Sequence, residues 1–320
     1  MTAHPPSPLA ALPPLPGLPG WLTARMPESP ENAAFLCGAG LALLEGLLAD
    51  PDAAVPQALL ANRLALSASA ATSALEGRLA QEGEIRDAYH LTPPGEAPGP
   101  DGDLLVFWRA ALKIRLGTRG WQAELADLVG PGLGPNLEGW LATALDQLKT
   151  QGPLTACAGI MRAVLLADDR AEGIACLMSD VVLARALRRS QILPLTALHL
   201  AKRDLRALEG TGPGADLALS RALFRSVRGA IALSQDLSRR AEALRRVAPK
   251  LRSKASDAAV ELFLSEDAVA PSGMLSPRIR GTSIAMTDRA ARRFCDRLVS
   301  LGVARELTGR PTFRLYGILP

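Results

Sequence analysis

Arg289, Arg292, Arg293 and Arg297 fall close together near the end of the chain. Arginine is charged at any ordinary pH and presents its donors in a rigid fork, so such a group suits phosphate oxygens and the acceptor edge of guanine. On a helix that turns about 100° per residue, the four side chains occupy an arc of roughly 140°. Ala291, Phe294, Cys295, Leu298 and Leu301 fall on the opposite side. The spacing predicts a two-faced helix over Asp288–Leu301, basic outward and apolar inward. Thr287 stands where an N-cap belongs, Asp288 complements the helix dipole, and Gly302 closes the helix.

Other residues with chemical potential are weaker. Glu84, Asp87 and His90 sit three apart, with Glu82 beside them, and could serve acid–base work or a metal. Residues i and i+3 share a helix face but i+6 has drifted from it. The segment therefore reads as a short helix whose acids cap or pair, with Tyr89 and His90 packing at its end. Asp168, Asp169 and Glu172 read as acids at a helix start. Asp180 lies on an otherwise apolar helix and calls for a partner, Arg185 or Arg188. Gly130-x-Gly-x-Gly134 has the wrong spacing for a dinucleotide loop, and Pro135 follows it.

No Walker sequence and no Ser/His/Asp motif occurs. Cys37, Cys157, Cys176 and Cys295 stand far apart without a Cys-x-x-Cys pair, which predicts buried free thiols in a reducing compartment. The histidines His4, His90 and His199 form no His-Glu-x-x-His pattern, so no metal site and no cofactor is expected. Nothing assigns a catalytic residue, and the reading leans away from an enzyme.

The elements around the arginine helix give it a setting. Ser256–Leu264 predicts a short amphipathic helix, and a connection with Pro271, Gly273 and Pro277 follows. After Gly302 the pattern reads as a strand, a tight turn at Thr308–Pro311 and a second strand. In that strand Phe313 and Leu315 alternate with Arg314 and Tyr316, the period of a half-buried strand. Helix, connection, basic helix and hairpin in that order look like a winged helix-turn-helix. There the last helix enters the major groove, and Arg310 and Arg314 would serve the wing.

Charge supports a polyanionic partner for this part. The chain of 320 residues carries a formal charge of +4. Residues 1–199 hold 14 Lys/Arg against 20 Asp/Glu, and residues 200–320 hold 22 against 12. Around Pro249, from Arg239 to Lys254, seven basic residues face one acid, Glu242. DNA is the expected partner.

The rest of the chain reads as helix. Hydrophobic residues make up 48% and aromatics only 4%, and Ala and Leu dominate, which favours helix over sheet. Residues 1–30 hold nine prolines and predict an extended or disordered arm, with Leu12, Leu15, Leu18 and Trp21 along one edge. Ala34–Leu48 is apolar nearly all round and predicts a buried helix. Further helices are expected from Pro56 to about Leu79, over Gly83–His90, Leu104–Leu116, Trp121–Val129, Leu137–Lys149, Leu154–Leu166, Glu172–Arg189, Leu195–Leu208 and Ala215–Val247, with a loop over Thr92–Asp103. In the last helix Leu223, Ala230, Leu237 and Leu244 repeat every seven residues, with Leu217, Phe224 and Ile231 beside them, as one stripe laid across a bundle. No uncharged run reaches the roughly 20 residues of a membrane span, and residues 1–24 lack the basic start of a signal peptide. The expectation is a cytoplasmic protein without membrane contact.

The fold class expected is mainly α: a Pro-rich arm over 1–30, a multi-helical domain over 31–248, and a small winged-helix (α+β) domain over 249–320. Three segments carry a family resemblance: Ile85–Arg109, Leu177–Leu187 and Met286–Ile318 (MTDRAARRFCDRLVSLGVARELTGRPTFRLYGI). They are similar to domain-of-unknown-function family 1403, over nearly the whole chain after the arm. The resemblance implies a bacterial protein of a kind often plasmid-borne, and carries no established chemistry.

Thr72-Ser-Ala-Leu-Glu76-Gly77 also fits the Ser/Thr-x-x-x-Glu-Gly/Asn pattern of the inhibitory helix in Fic-type adenylylating proteins. Their His-Pro-Phe…Gly-Asn-Gly-Arg core is absent, so the hexapeptide reads as structural. The leading expectation is a DNA-binding regulator or plasmid-associated factor. The alternatives are a non-catalytic scaffold that binds a protein partner or another copy of itself, and a degenerate relative of Fic-type enzymes.

Overall fold

The structure, a computed structural model, describes residues 19–23, 26–93, 95–210, 213–251, 255–310 and 312–318. The expectations for residues 1–18, Arg252, Lys254 and Pro311 lie outside the described residues. The chain is mainly helical, as its composition predicts. Its elements are α1 (Gly20–Thr23), α2 (Pro30–Ala49), α3 (Gln57–Leu75), α4 (Glu82–Leu91), α5 (Gly99–Lys113), α6 (Trp121–Val129), α7 (Leu137–Thr150), α8 (Pro153–Ala167), α9 (Glu172–Ala186), α10 (Lys202–Glu209), α11 (Pro213–Val247), α12 (Ser256–Phe263) and α13 (Asp288–Ser300). The short strands β1 (Arg305–Glu306) and β2 (Tyr316–Gly317) pair antiparallel, with Glu306 opposite Tyr316.

The longest element, α11, has 35 residues and spans about 52 Å at 1.5 Å per residue. Its heptad stripe is buried as the spacing predicts: Leu223, Ala230, Leu237 and Leu244 are all covered, with Phe224 and Ile231 beside them. Buried Ser220, Ser226 and Ser234 turn their hydroxyls onto the carbonyls four residues back, so none costs an unmade hydrogen bond. Helix α2 lies along α11, and Arg221 donates to the Pro27 carbonyl just before it.

Against expectation, α2 is buried on one side only. Ala33, Cys37, Gly40, Leu41, Leu44 and Leu48 face inward, while Phe35 and Leu43 stay exposed. With Glu31 and Glu45 included, its 20 residues are long and apolar enough to cross a membrane by length and composition. A helix packed into a core passes the same test, and α11 takes the inner face of this one. All four cysteines are buried and free.

Helices α3, α4 and α5 pack together, as do α7, α8 and α9. Helix α5 starts at Gly99, inside the expected loop, because Pro100 suits the first turn and Asp101 complements the dipole there. The helix expected over Leu195–Leu208 is broken instead. Residues 197–199 make one tight turn, and α10 begins only at Lys202. Asp180 explains the break. Its carboxylate accepts the backbone N–H groups of Leu195 and Thr196 and the Thr196 hydroxyl, which holds this stretch off a continuous helix. Its partner is therefore a fold of backbone, not the expected Arg185 or Arg188.

Burial pushes the Asp180 carboxyl up to about 7, despite the hydrogen bonds that favour its ionised form. A carboxyl that holds its proton more tightly in the fold favours folding most below its unfolded value of 3.8, and that contribution is lost as the pH rises through about 7. Urea unfolding should show the stability of the wild type relative to Asp180→Asn falling across that interval. A constant difference would mean that the group is ionised in the fold throughout.

Candidate nucleic-acid interface

Helix α13 forms where its sequence predicts. The Thr287 hydroxyl accepts the Ala290 N–H at 3.3 Å and caps it. Gly302, at φ 69°, ends it in a left-handed turn. Ala291, Phe294, Cys295 and Leu298 are buried, and the Phe294 ring lies 6.2 Å from that of Phe263 on α12. Arg289, Arg292, Arg293 and Arg297 are all exposed. None of the four has an ion-pair partner among the described residues. Exposed Asp288 and Asp296 on the same helix offset part of the mutual repulsion of the four arginines, and the outer face keeps an excess of positive charge.

A groove of about 980 Å³ runs beside this face. Pro249, Lys250 and Leu251 line it together with Met286, Arg289, Arg293, Phe294 and Arg297 of the α13 region. Nothing in the spacing of Lys250 singles it out as a site residue, although it lies within the basic run around Pro249. Arg292 does not line the groove.

The hairpin flanks the other side of α13. Val269 exchanges backbone hydrogen bonds with Tyr316, at 2.7 and 2.9 Å, so β2 sits between Val269 and β1. Leu315 and Tyr316 are both buried, which breaks the alternation expected from the sequence. Phe313, expected to face inward, is 75% exposed at φ 56°, because the chain turns there instead of running as strand. Arg314 is exposed and donates to the Arg310 carbonyl at 3.2 Å. Arg310 is exposed too, but its guanidinium lies 3.5 Å from Asp87 of α4. Of the two expected wing cations, Arg314 is held by Tyr316 with Glu306 and Asp296 nearby, and Arg310 pairs with the helical body.

That contact belongs to a larger clamp. Just after α12, Asp267 is fully buried between Arg109 of α5 and His90 of α4. Arg109 also donates to Glu266 at 3.0 Å and stacks over the Tyr89 ring at 4.7 Å. Asn62 of α3 donates to the Ser265 carbonyl at 2.7 Å, and Arg86 donates to the Leu307 carbonyl at 3.1 Å. Residues from three helices thus grip both the segment that precedes α13 and the hairpin that follows it. Burial alone would raise the Asp267 carboxyl, but Arg109, with His90 and Arg63, outweighs it and holds the group down at about 2.

The remaining candidates are structural or scattered. Glu84 accepts the Gln81 N–H and caps α4, while Asp87 binds its neighbour Arg86. Glu84, Asp87 and His90 therefore serve three different contacts. In the Fic-like hexapeptide, buried Thr72 accepts the Trp108 indole N–H, Ser73 accepts the Ala80 N–H, and Glu76 pairs with Arg78. Among the described residues no group of three or more His, Cys, Asp or Glu side chains could hold a metal ion.

The fold and this surface define the class: a multi-helical protein whose C-terminal segment presents an unpaired cationic helix beside a groove. The chain belongs to the family described as Protein of unknown function (DUF1403), whose model matches residues 8–318. No curated protein and no solved structure matches the chain.

Replacing Asp267 by Asn leaves the Arg109 charge without its closest partner, a change that costs about 3–5 kcal/mol for a buried pair. The depressed carboxyl contributes stability above its unfolded value of 3.8, and this is lost as the pH falls towards about 2. Chemical denaturation should therefore show the largest gap between wild type and Asp267→Asn at neutral pH, narrowing below about pH 4. An equal gap at every pH would exclude the ionised carboxylate as the source.

Proposed function

We propose that this protein binds duplex DNA through α13, as a regulator or plasmid-associated factor with no catalytic step of its own. The observation that carries the reading is the set of four exposed, unpaired arginines on a rigid helix. Counterion release makes such a surface favourable for a polyanion and gives the interaction a steep salt dependence. The succession of α12, extended Val269, the turn at 271–275, α13 and the hairpin supports a winged helix-turn-helix over the C-terminal segment. In this reading the usual second helix is reduced to a turn. α13 is wide open to solvent along its outer face, as a major-groove helix must be. Arg314 flanks it, while Arg310 holds the wing to Asp87.

One observation favours the second reading, a scaffold for a protein partner. The outer side of α2 exposes Phe35 at 69% and Leu43, and the Trp21 ring lies 6.4 Å from that of Phe35. Such an apolar patch suits a protein surface and not DNA.

Fluorescence anisotropy with mixed-sequence duplex decides between them. Binding should weaken steeply with added salt, and Arg292→Glu/Arg293→Glu should lower affinity at low salt by about 100-fold or more. The double variant should melt like the wild type, because both side chains are exposed. Absence of binding at low salt would reject the DNA reading.

A further inference from the structure

The arginines of α13 stand in two different surroundings. Arg289, Arg293 and Arg297 are four residues apart, so they form one row along the helix, stepping about 6 Å and 40° at a time. Asp288, Arg292 and Asp296 form the neighbouring row at the same spacing. All six residues are exposed. The first row contains only cations and lines the groove together with Lys250. In the second row a single arginine is flanked by two carboxylates, and that row lies outside the groove lining.

The two rows suit different parts of a nucleic acid. A phosphate lying on the second row would meet Asp288 and Asp296 as well as Arg292, so repulsion cancels much of the attraction. A base edge offers both acceptors and donors. An arginine pairs with guanine N7 and O6, and a carboxylate accepts from the cytosine amino group. The groove row has no such mixture. The groove volume of about 980 Å³ corresponds to roughly 30 waters at their liquid volume of about 30 Å³, far more than one phosphate ion occupies. Its volume and the single sign of charge in its lining fit a polyanionic backbone. The capped N-terminus of α13, at Thr287 and Ala290, opens onto the same groove.

Resting on the DNA reading above, we infer that the groove between residues 249–251 and α13 holds one sugar–phosphate strand of the duplex. Lys250, Arg289, Arg293 and Arg297 bind its phosphates, and the Asp288–Arg292–Asp296 row faces base edges. Affinity and register then come from the groove, and sequence preference comes from the row beside it.

Salt titrations with the full-length protein separate the two roles. Each lost phosphate contact lowers the slope of log K against log salt by about 0.9. The variant Arg289→Gln/Arg293→Gln/Arg297→Gln should therefore reduce the slope by about 2.7, equally on all duplex sequences. Lys250→Gln should reduce it by about 0.9. Arg292→Gln should leave the slope near the wild-type value while flattening the preference among duplexes of different sequence. Thermal melting of each variant confirms the fold. If the wild type binds duplex but the triple variant keeps its slope, the groove assignment falls and the DNA reading stands. An Arg292→Gln slope loss equal to that of Arg293→Gln would overturn the division between the rows. Poly-glutamate binding with the affinity and salt slope of duplex would mark the groove as a cleft for acidic protein and overturn its assignment to a nucleic-acid strand. No duplex binding at low salt rejects both readings together.

Discussion

The position of the C-terminal segment depends on one buried ion pair. Asp267 is completely enclosed, and burying a carboxylate without compensation costs several kcal/mol. Arg109 supplies that compensation, and its own charge is shared with Glu266 and the Tyr89 ring. One carboxylate oxygen of Asp267 and the Nε of Arg109 find no hydrogen-bond partner, so the cluster is not a fully satisfied network. It is held together by charge and by enclosure. Loss of either partner leaves a buried charge with weaker compensation only, Glu266 and Tyr89 for Arg109 or His90 and Arg63 for Asp267. Because α4 and α5 carry His90 and Arg109, and α4 also carries Asp87 and Arg86, these two helices form the mount on which the hairpin and α13 are set.

This dependence explains which parts of the molecule could be read from the sequence. Helix α13 was legible because every signal for it is local: a cap, an apolar row, a basic face and a glycine stop within sixteen residues. The stripe on α11 was legible for the same reason, and its burial follows the seven-residue repeat. Asp267 was not legible, because its partners Arg109 and His90 lie 158 and 177 positions away in the chain. No spacing rule reports such a contact. Asp180 marks the intermediate case. Its burial was foreseeable on an apolar helix, but its partners are backbone N–H groups of the next segment, which residue type does not encode. The same contact breaks the helix that the sequence pattern predicts over Leu195–Leu208.

The hairpin shows how tertiary contact overrides a local pattern. Alternation of Phe313 and Leu315 with Arg314 and Tyr316 argues for inward aromatic and outward polar residues. In the fold Tyr316 is drawn inward by its pairing with Val269, which leaves Phe313 outside at a positive φ. Exposed α2 residues tell a related story. An all-round apolar sequence sets no preference for which side faces inward, and the stripe of α11 decides it.

Clamping has a consequence for recognition. A surface that must be ordered before it can bind loses affinity to the entropy of ordering, whereas a surface already held does not. The arginine rows of α13 are held from both directions, by the segment before the helix and by the hairpin after it. The Arg310–Asp87 pair uses one hairpin cation for that purpose. Free charge is not confined to α13 and Lys250, since Arg245, Arg278 and Arg305 are also exposed and without an ion pair among the described residues. The excess of basic over acidic residues after position 200 overstates the unpaired charge, since Arg240 and Arg246 are paired within α11 itself. What sets the arginines of α13 apart is that three of them line one groove together with Lys250, with no acidic residue in its lining.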